Sequence, residues 1–523
     1  MLIHGPAELV LALLIAVAAL VTIARRLEIA YPIFLVIGGL ILGLVPGVPR
    51  IHIDPEMIFL IVLPPLLYIA AFYTPIQNLR ANLGAISSLA VGLVIVSAGA
   101  VAIAAHALIP GITWAAAFAL GAIVAPPDAI AATAVTRRLA VPRQIVTILE
   151  GESLLNDATA LTIYAAALAV AAGAVFSPAG AIVRFAGAIV GGVIIGVAVG
   201  WLIAHIRARI EDTPVEMTIS LLTPYAAFLP ADRLDASGVI ATVAAGLYLG
   251  HRGSRIMGAD ARLTGRAVWD TITFLLNGFV FIVMGLEIPL LFRTLTPALA
   301  IGLIGIGVAV TVLLVLVRAL WIAASVFLPQ RIHGQREALE CSVVLSWAGM
   351  RGVVSLAAAL ALPLTLPGGQ PFPAREALVI VTLTVIALTL VGQGLTLPSL
   401  IRALRLSTDT GLRAEEARAR QHLLDAATRR LDELYRVWPG HRPLLDELRQ
   451  TYRHRSEHVE RQRDAPEGSA EDQELIEHRE IRQTVIGAER EALLRLRAGS
   501  EVSDEVLREL ERELDLEERR MDA

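Results

Sequence analysis

Gly121-Ala122-Ile123-Val124-Ala125-Pro126-Pro127-Asp128-Ala129 sits in the middle of an apolar stretch that runs from 113 to 136. A run of about 20 apolar residues is what a helix needs to cross roughly 30 Å of hydrocarbon. Two consecutive prolines remove two backbone donors from the centre of this one and free the carbonyls one turn back. Such carbonyls persist at that depth only where they face protein or line a wet cavity. An acid placed directly after the break is what a cation site needs. The stretch reads as an interrupted membrane helix built around an ion. The bland alternative is a proline kink whose Asp128 pairs with an arginine.

The next apolar stretch, 143–172, carries Glu150-Gly151-Glu152-Ser153-Leu154-Leu155-Asn156-Asp157-Ala158. Ser153 and Asp157 are four apart and share one helix face. A hydroxyl and a carboxylate on one face supply hard oxygen ligands to Na⁺ or Li⁺. Burial favours the protonated form of a carboxylate, so the same acid can hold a proton when no cation is bound. One acid that takes either ion, never both, is the physical minimum for exchange. The alternative is a scaffold acid neutralised by arginine.

Further along, Ser346-Trp347-Ala348-Gly349-Met350-Arg351-Gly352 places two glycines around an arginine in mid-span. It reads as a second broken helix. Ionisable residues inside spans are costly and mark function by default; Asp128, Glu152, Asp157, Arg318 and Arg351 stand out. Arg318, within Leu314-Val315-Leu316-Val317-Arg318-Ala319-Leu320-Trp321, needs an acidic partner, and Glu152 is the first candidate. Interrupted helices at corresponding places in two halves of a chain point to a transporter of inverted-repeat type with its site where they cross.

The whole chain agrees with that local reading. Its 523 residues are 56% hydrophobic and 18% charged, against about a quarter charged in soluble domains. That leaves too little polar surface for a set of soluble domains. From Arg402 onward there are 23 arginines and 29 acidic residues, and only 21 and 19 in the 401 before. Residues 1–405 therefore read as a membrane domain and 406–523 as a soluble, charged, helical tail. Thirteen apolar stretches are expected: 7–24, 31–47, 56–74, 84–109, 113–136, 143–172, 178–206, 214–231, 236–250, 267–291, 295–328, 339–364 and 375–400. The eighth and ninth are short enough to form one re-entrant unit. The first is read as a helix and not a signal peptide, because it lacks a basic leader and a cleavage site.

Counting loops from the N-terminus, one set holds 14 arginines and the opposite set 5. Basic loops stay inside, which puts the N-terminus outside and the tail in the cytoplasm. There is no lysine; all 44 basic residues are arginine. The single cysteine, Cys341, excludes an intrachain disulfide. The tail keeps Leu423, Leu424, Leu431, Leu434 and Val437 at helical spacing, breaks at Pro439-Gly440, reads as linker from Arg463 to Ser469, and resumes with Leu493, Leu494, Leu507, Leu510 and Leu514. A helical bundle or coiled coil is the plain reading. A pH-sensing module is the other, since His422, His441, His454, His458 and His478 lie there and histidine titrates near neutral pH.

These strings, with Val391-Gly392-Gln393-Gly394-Leu395-Thr396-Leu397-Pro398, Leu63-Pro64-Pro65-Leu66-Leu67-Tyr68 and Phe281-Ile282-Val283-Met284-Gly285-Leu286, resemble the bacterial sodium/proton exchangers of the monovalent cation:proton antiporter superfamily, in the branch of NhaP and the animal NHE proteins. The likeness spans about 7–405. It implies an all-α fold of thirteen helices in two inverted repeats, a homodimer, elevator-type alternating access, and no enzymatic activity, cofactor or nucleic-acid partner. By position, Asp157 would be the shared cation and proton carboxylate, with Asp128, Ser153 and Asn156 as further ligands or supports for Na⁺. Glu152 and Arg318 would form a structural ion pair, and Arg351 would belong to the second broken helix.

Electrogenic relatives carry an aspartate where Asn156 stands and a lysine in the eleventh span. Arginine does not deprotonate at accessible pH, so one proton carrier remains and one-for-one, electroneutral exchange is expected. Two departures from the family pattern bear on selectivity. Pro127 replaces a hydroxyl residue before the fifth-span acid, and Ile69 stands where an acid often follows the Pro-Pro string. K⁺/H⁺ exchange is therefore the alternative substrate, in a multi-pass protein of the bacterial inner membrane. A cation channel would need filter or charge-ring repeats that are not evident, and a hydrolase would need ligand-spaced histidines. A non-transporting sensor is the other rival.

Overall fold

The structure, a computed structural model, describes residues 6–26, 31–45, 55–128, 132–133, 141–210, 212–292, 296–327, 335–367, 369–404, 410–464 and 484–493, with 495, 506, 510 and 513–518 beyond them. Positions 129–131 and 134–136 of the fifth apolar stretch, the linker positions 465–469, and Leu494 and Leu507 lie outside the described residues. The chain divides into two compact units, Met1–Thr408 and Asp409–Ala523.

Among the described residues the first unit is helical apart from an isolated bridge between Thr365 and Pro371. The helices are α1 (Pro6–Arg26), α2 (Tyr31–Leu44), α3 (Pro55–Tyr73), α4 (Ile76–Ala81), α5 (Leu83–Leu108), α6 (Trp114–Val124), α7 (Arg143–Ala171), α8 (Pro178–Arg207), α9 (Thr213–Arg233), α10 (Gly238–Ile256), α11 (Ala259–Phe292), α12 (Pro297–Phe327), α13 (Gln335–Trp347), α14 (Val353–Leu360) and α15 (Arg375–Leu404). Each of the thirteen apolar stretches falls on helix. The twelfth falls on two, α13 and α14, and the fifth on α6, which stops just before Pro126. The eighth and ninth are separate helices of 21 and 19 residues. By length and composition α5, α7, α8, α11, α12 and α15 each contain a segment able to cross a membrane.

Side-chain caps set several starts. Thr113, Ser177, Asp212 and Ser237 accept from the backbone N–H three residues on, each at 3.2 Å, satisfying donors that a first turn leaves open. Two helices approach closely where side chains are absent. A Cβ on Gly39 of α2 would lie 2.9 Å from the Cα of Gly285 on α11, and one on Gly196 of α8 would lie 2.8 Å from the carbonyl carbon of Ala241 on α10. Lipid cannot drive helices together hydrophobically, so backbone contact through small residues does that work. On the outside, Ile301, Val308, Val312, Leu316 and Leu320 form an exposed apolar stripe along α12, as expected of a lipid-facing helix.

Two long helices contain a wide turn: Ser88–Leu93 in α5 and Leu388–Gln393 in α15 are π-helical. Such bulges recur at functional sites, and the second one bears directly on the site below.

The second unit contains α16 (Thr410–Val437) and α17 (Arg442–Asp464), joined at Pro439-Gly440. Leu431 and Leu445 are buried, Arg449 bonds Asp432 at 2.8 Å, and Gln421 bonds Ser456 at 2.9 Å. This is a helical hairpin. Tyr435 donates its hydroxyl to Asp446, and that hydrogen bond holds the phenol above its ordinary value. His422, His441 and His454 are exposed.

Candidate functional site

The break in α6 is stabilised by an exchange of hydrogen bonds with the break between α13 and α14. In an unbroken helix the N–H of Asp128 would bond the carbonyl of Val124. Here it donates instead to the carbonyl of Met350, at 2.7 Å. The Val124 carbonyl receives the Arg351 Nε at 2.9 Å, and the guanidinium also reaches the Ala125 carbonyl at 3.4 Å. Arg351 bonds the Gly349 carbonyl as well. Its own backbone N–H is taken by the hydroxyl of Thr389 at 3.1 Å, a residue of the π-helical turn in α15. Each broken segment thus satisfies the groups that the other exposes.

The second break is capped in the same way. α13 ends at Trp347, leaving the Leu345 carbonyl without its helical donor. Arg318 of α12 supplies one from Nε at 2.9 Å. The two terminal nitrogens of the same guanidinium bind both oxygens of Glu152 on α7, at 2.6 and 2.8 Å. Arg318, Glu152 and Arg351 are all at most 2% exposed. The ion pair expected from sequence is therefore present, and it is bidentate, the geometry in which arginine outperforms lysine. Both broken helices end on a guanidinium, which also suits the negative end of a helix dipole.

Asp128 is the half-buried complement to these cations. Its carboxyl lies against Gly352, the residue that opens α14, with the carboxyl carbon 2.6 Å from where a Cβ would stand. A carboxylate at a helix start is favoured by the dipole. Gly352 is therefore a space requirement, and Gly352→Ala forces Asp128 to move. Overpacking of this kind costs about 1–3 kcal/mol. The expected outcome is normal yield of folded protein with apparent cation affinity weakened roughly tenfold, read from the cation dependence of transport.

Asp157 lies on the unbroken helix α7, buried and within electrostatic range of Asp128. Asn156, the residue before it, is fully buried and donates its amide to the Pro127 carbonyl at 2.8 Å. Only the nitrogen of an amide can serve a carbonyl, so Oδ1 faces the other way, and it has no hydrogen-bond partner among the described residues. Ser153, one turn before Asp157, is half-buried. Among the described residues no three His, Cys, Asp or Glu side chains are close enough to hold a metal ion. A cation at Asp157 and Asp128 would draw its other ligands from neutral oxygens.

The sequence reading did not single out several residues around this crossing. Thr389 anchors Arg351, and Met350 accepts from Asp128. Gln393, one turn beyond Thr389, is buried with neither amide atom hydrogen-bonded among the described residues. Tyr31 lies within electrostatic range of Asp128 and beside the buried Asn277. Lone threonine and amide residues in apolar runs carry no distinctive spacing. A second buried ion pair, Arg207–Glu216 at 2.9 Å, lies away from this crossing. Its sequence signal is an acid inside the eighth stretch.

Comparison with known proteins identifies the family and the fold. The profile of the family described as "Sodium/hydrogen exchanger, transmembrane" matches residues 11–403. An uncharacterized Na⁺/H⁺ exchanger of Mycobacterium tuberculosis is 36% identical over 97% of this chain and 95% of its own length. A sodium, potassium, lithium and rubidium/H⁺ antiporter of Bacillus pumilus is 29% identical over 82% of this chain and 66% of its own. The structure of the sodium proton antiporter MjNhaP1 from Methanocaldococcus jannaschii matches with a TM-score of 0.60 at 19% identity, covering 76% of this chain and 98% of that one.

Proposed function

The chain belongs to the transmembrane sodium/hydrogen exchanger family, and we propose that it exchanges Na⁺ or Li⁺ for H⁺, one for one, with Asp157 as the shared carboxylate. The observation that carries this is the charge balance at the crossing. Glu152 and Arg318 cancel, and Arg351 offsets one of the two remaining carboxylates. That leaves a single negative charge at Asp128 and Asp157, which one monovalent ion neutralises. A carrier that returns equally neutral with a proton or with a cation moves no net charge.

Asp128, Ser153 and the free Oδ1 of Asn156 are the proposed further ligands. The hydrogen-bond exchange between the broken segments ties them together, which supports their moving as one body in an elevator-type transition. By the arginine bias the N-terminus lies outside and the tail in the cytoplasm, in an inner-membrane homodimer of two thirteen-helix inverted-repeat protomers. K⁺/H⁺ exchange is the second reading. Pro127 and Ile69 remove oxygens that a small ion would use, and the Bacillus pumilus relative takes potassium by its name.

Purified protein in liposomes with an internal pH dye tests both readings by addition of Na⁺, Li⁺ and K⁺ in turn. Na⁺ and Li⁺ are expected to drive proton movement at a rate unchanged when a membrane potential is imposed. An electrogenic cycle would feel about 2.3 kcal/mol per charge per 100 mV. K⁺ exceeding Na⁺ would select the second reading, and no response to any cation would select the sensor.

A further inference from the structure

Away from the crossing, the ends of α3, α9, α10 and α11 and the short helix α4 enclose a cavity of about 740 Å³, in the size range of a ligand site. None of the broken helices, nor α7, lines it. Its rim carries Arg80, Arg262, Arg266 and His251. All four are exposed, and none is ion-paired among the described residues. Arg262 donates to the Met257 carbonyl. Asp260 and Asp270 are the acids on the same end of α11, and neither pairs with these arginines among the described residues. The walls are apolar, from Phe72, Met217 and Met257.

The floor is polar. Trp269 donates its indole N–H to Ser220 at 3.0 Å, and both residues line the cavity. Behind them Tyr68 packs on Trp269 with ring centroids 5.4 Å apart, next to Ser220 and Arg207. Tyr68 and Arg207 are at most 1% exposed. Neither residue lines the cavity, and Tyr68 lies within hydrogen-bonding range of Ser220 and Arg207, so the polar floor that a ligand meets is Trp269 and Ser220.

We propose that this cavity holds the anionic head group of a membrane phospholipid, with its glycerol and upper acyl carbons against the apolar walls. Charge complementarity selects an anion. Arg80 lies on α4 and Arg262 and Arg266 on the first turns of α11; with the orientation proposed from the arginine bias this is the cytoplasmic side, where basic pockets between helices suit anionic lipids. A soluble anion would need no apolar wall.

The test uses full-length protein in detergent, followed by thermal melting with added phosphatidylglycerol, phosphatidylcholine or inorganic phosphate. Phosphatidylglycerol is expected to raise the melting temperature, and the other two are not. The triple variant Arg80→Gln/Arg262→Gln/Arg266→Gln is expected to melt like wild type without lipid and to need at least roughly tenfold more phosphatidylglycerol for the same shift, since a charge-assisted bond carries about that factor. Gly265→Leu is the second variant, because a Cβ there stands 3.4 Å from Met217. It fills the cavity without touching charge and should also blunt the shift. An undiminished shift in both variants, or no shift in wild type, overturns the proposal. A shift reproduced by phosphate alone overturns the lipid in favour of a soluble anion.

Discussion

Asp157→Asn is expected to reduce cation-driven proton movement to the level of protein-free liposomes for Na⁺, Li⁺ and K⁺ alike. The substitution keeps size and hydrogen-bonding capacity, replaces one carboxylate oxygen with an NH₂ group and so removes the charge and the titratable proton. An exchanger needs one group that binds a proton in one half-cycle and a cation in the other, and an amide can lend an oxygen to a cation but cannot take up and release the proton. Loss of fold is not the expected cause. Asp157 is 5% exposed, and a neutral amide is cheaper to bury than a carboxylate. The variant should therefore melt at or above the wild-type temperature while being inactive. Normal exchange in a variant that melts normally would remove Asp157 from the mechanism and shift attention to Asp128.

The second large effect concerns Glu152 and Arg318, and it is one of stability. Glu152→Gln leaves a guanidinium buried without its carboxylate, and breaking a buried pair from one side costs about 3–5 kcal/mol. Arg318→Gln does the same to Glu152 and also strips the donor from the Leu345 carbonyl. The double variant removes both charges, so it is expected to recover most of the loss, as a double-mutant cycle measures directly. Recovery should stay incomplete by the cost of one unsatisfied carbonyl, about 1–3 kcal/mol. Denaturation of the purified single and double variants reads this out. Strict additivity would mean that the two residues act separately despite their contact.

Much of this was legible in the chain because membranes make exceptions conspicuous. Pro126-Pro127 and Gly349 to Gly352 stand out against long apolar runs, and a buried arginine such as Arg318 demands an acid, which narrows the choice to a few. The family-like strings supplied the rest of the expected architecture. What escaped was the pairing of the breaks. Nothing in the spacing of Val124, Met350 and Thr389 shows that a carbonyl, a second carbonyl and a hydroxyl meet at one arginine. Backbone atoms have no sequence signature. Arg351 read as part of its own broken helix, whereas its main work is on the carbonyls of the other. The Arg207–Glu216 pair has no comparable motif, because Glu216 is a lone acid near the start of a stretch that is otherwise apolar.

The exchange of hydrogen bonds at the crossing also limits how the gene for such a protein can be recombined. Arg351 and Val124 are 227 positions apart, so the two halves of the membrane unit look like separable modules in sequence. They are not interchangeable parts. A chimera that takes its first half from one relative and its second from another inherits a guanidinium aimed at carbonyls placed by a different proline pattern. Grafts that move residues 121–128 and 349–352 together, as one non-contiguous cassette, keep the donor and acceptor ledger closed, and so respect the unit on which the fold is built.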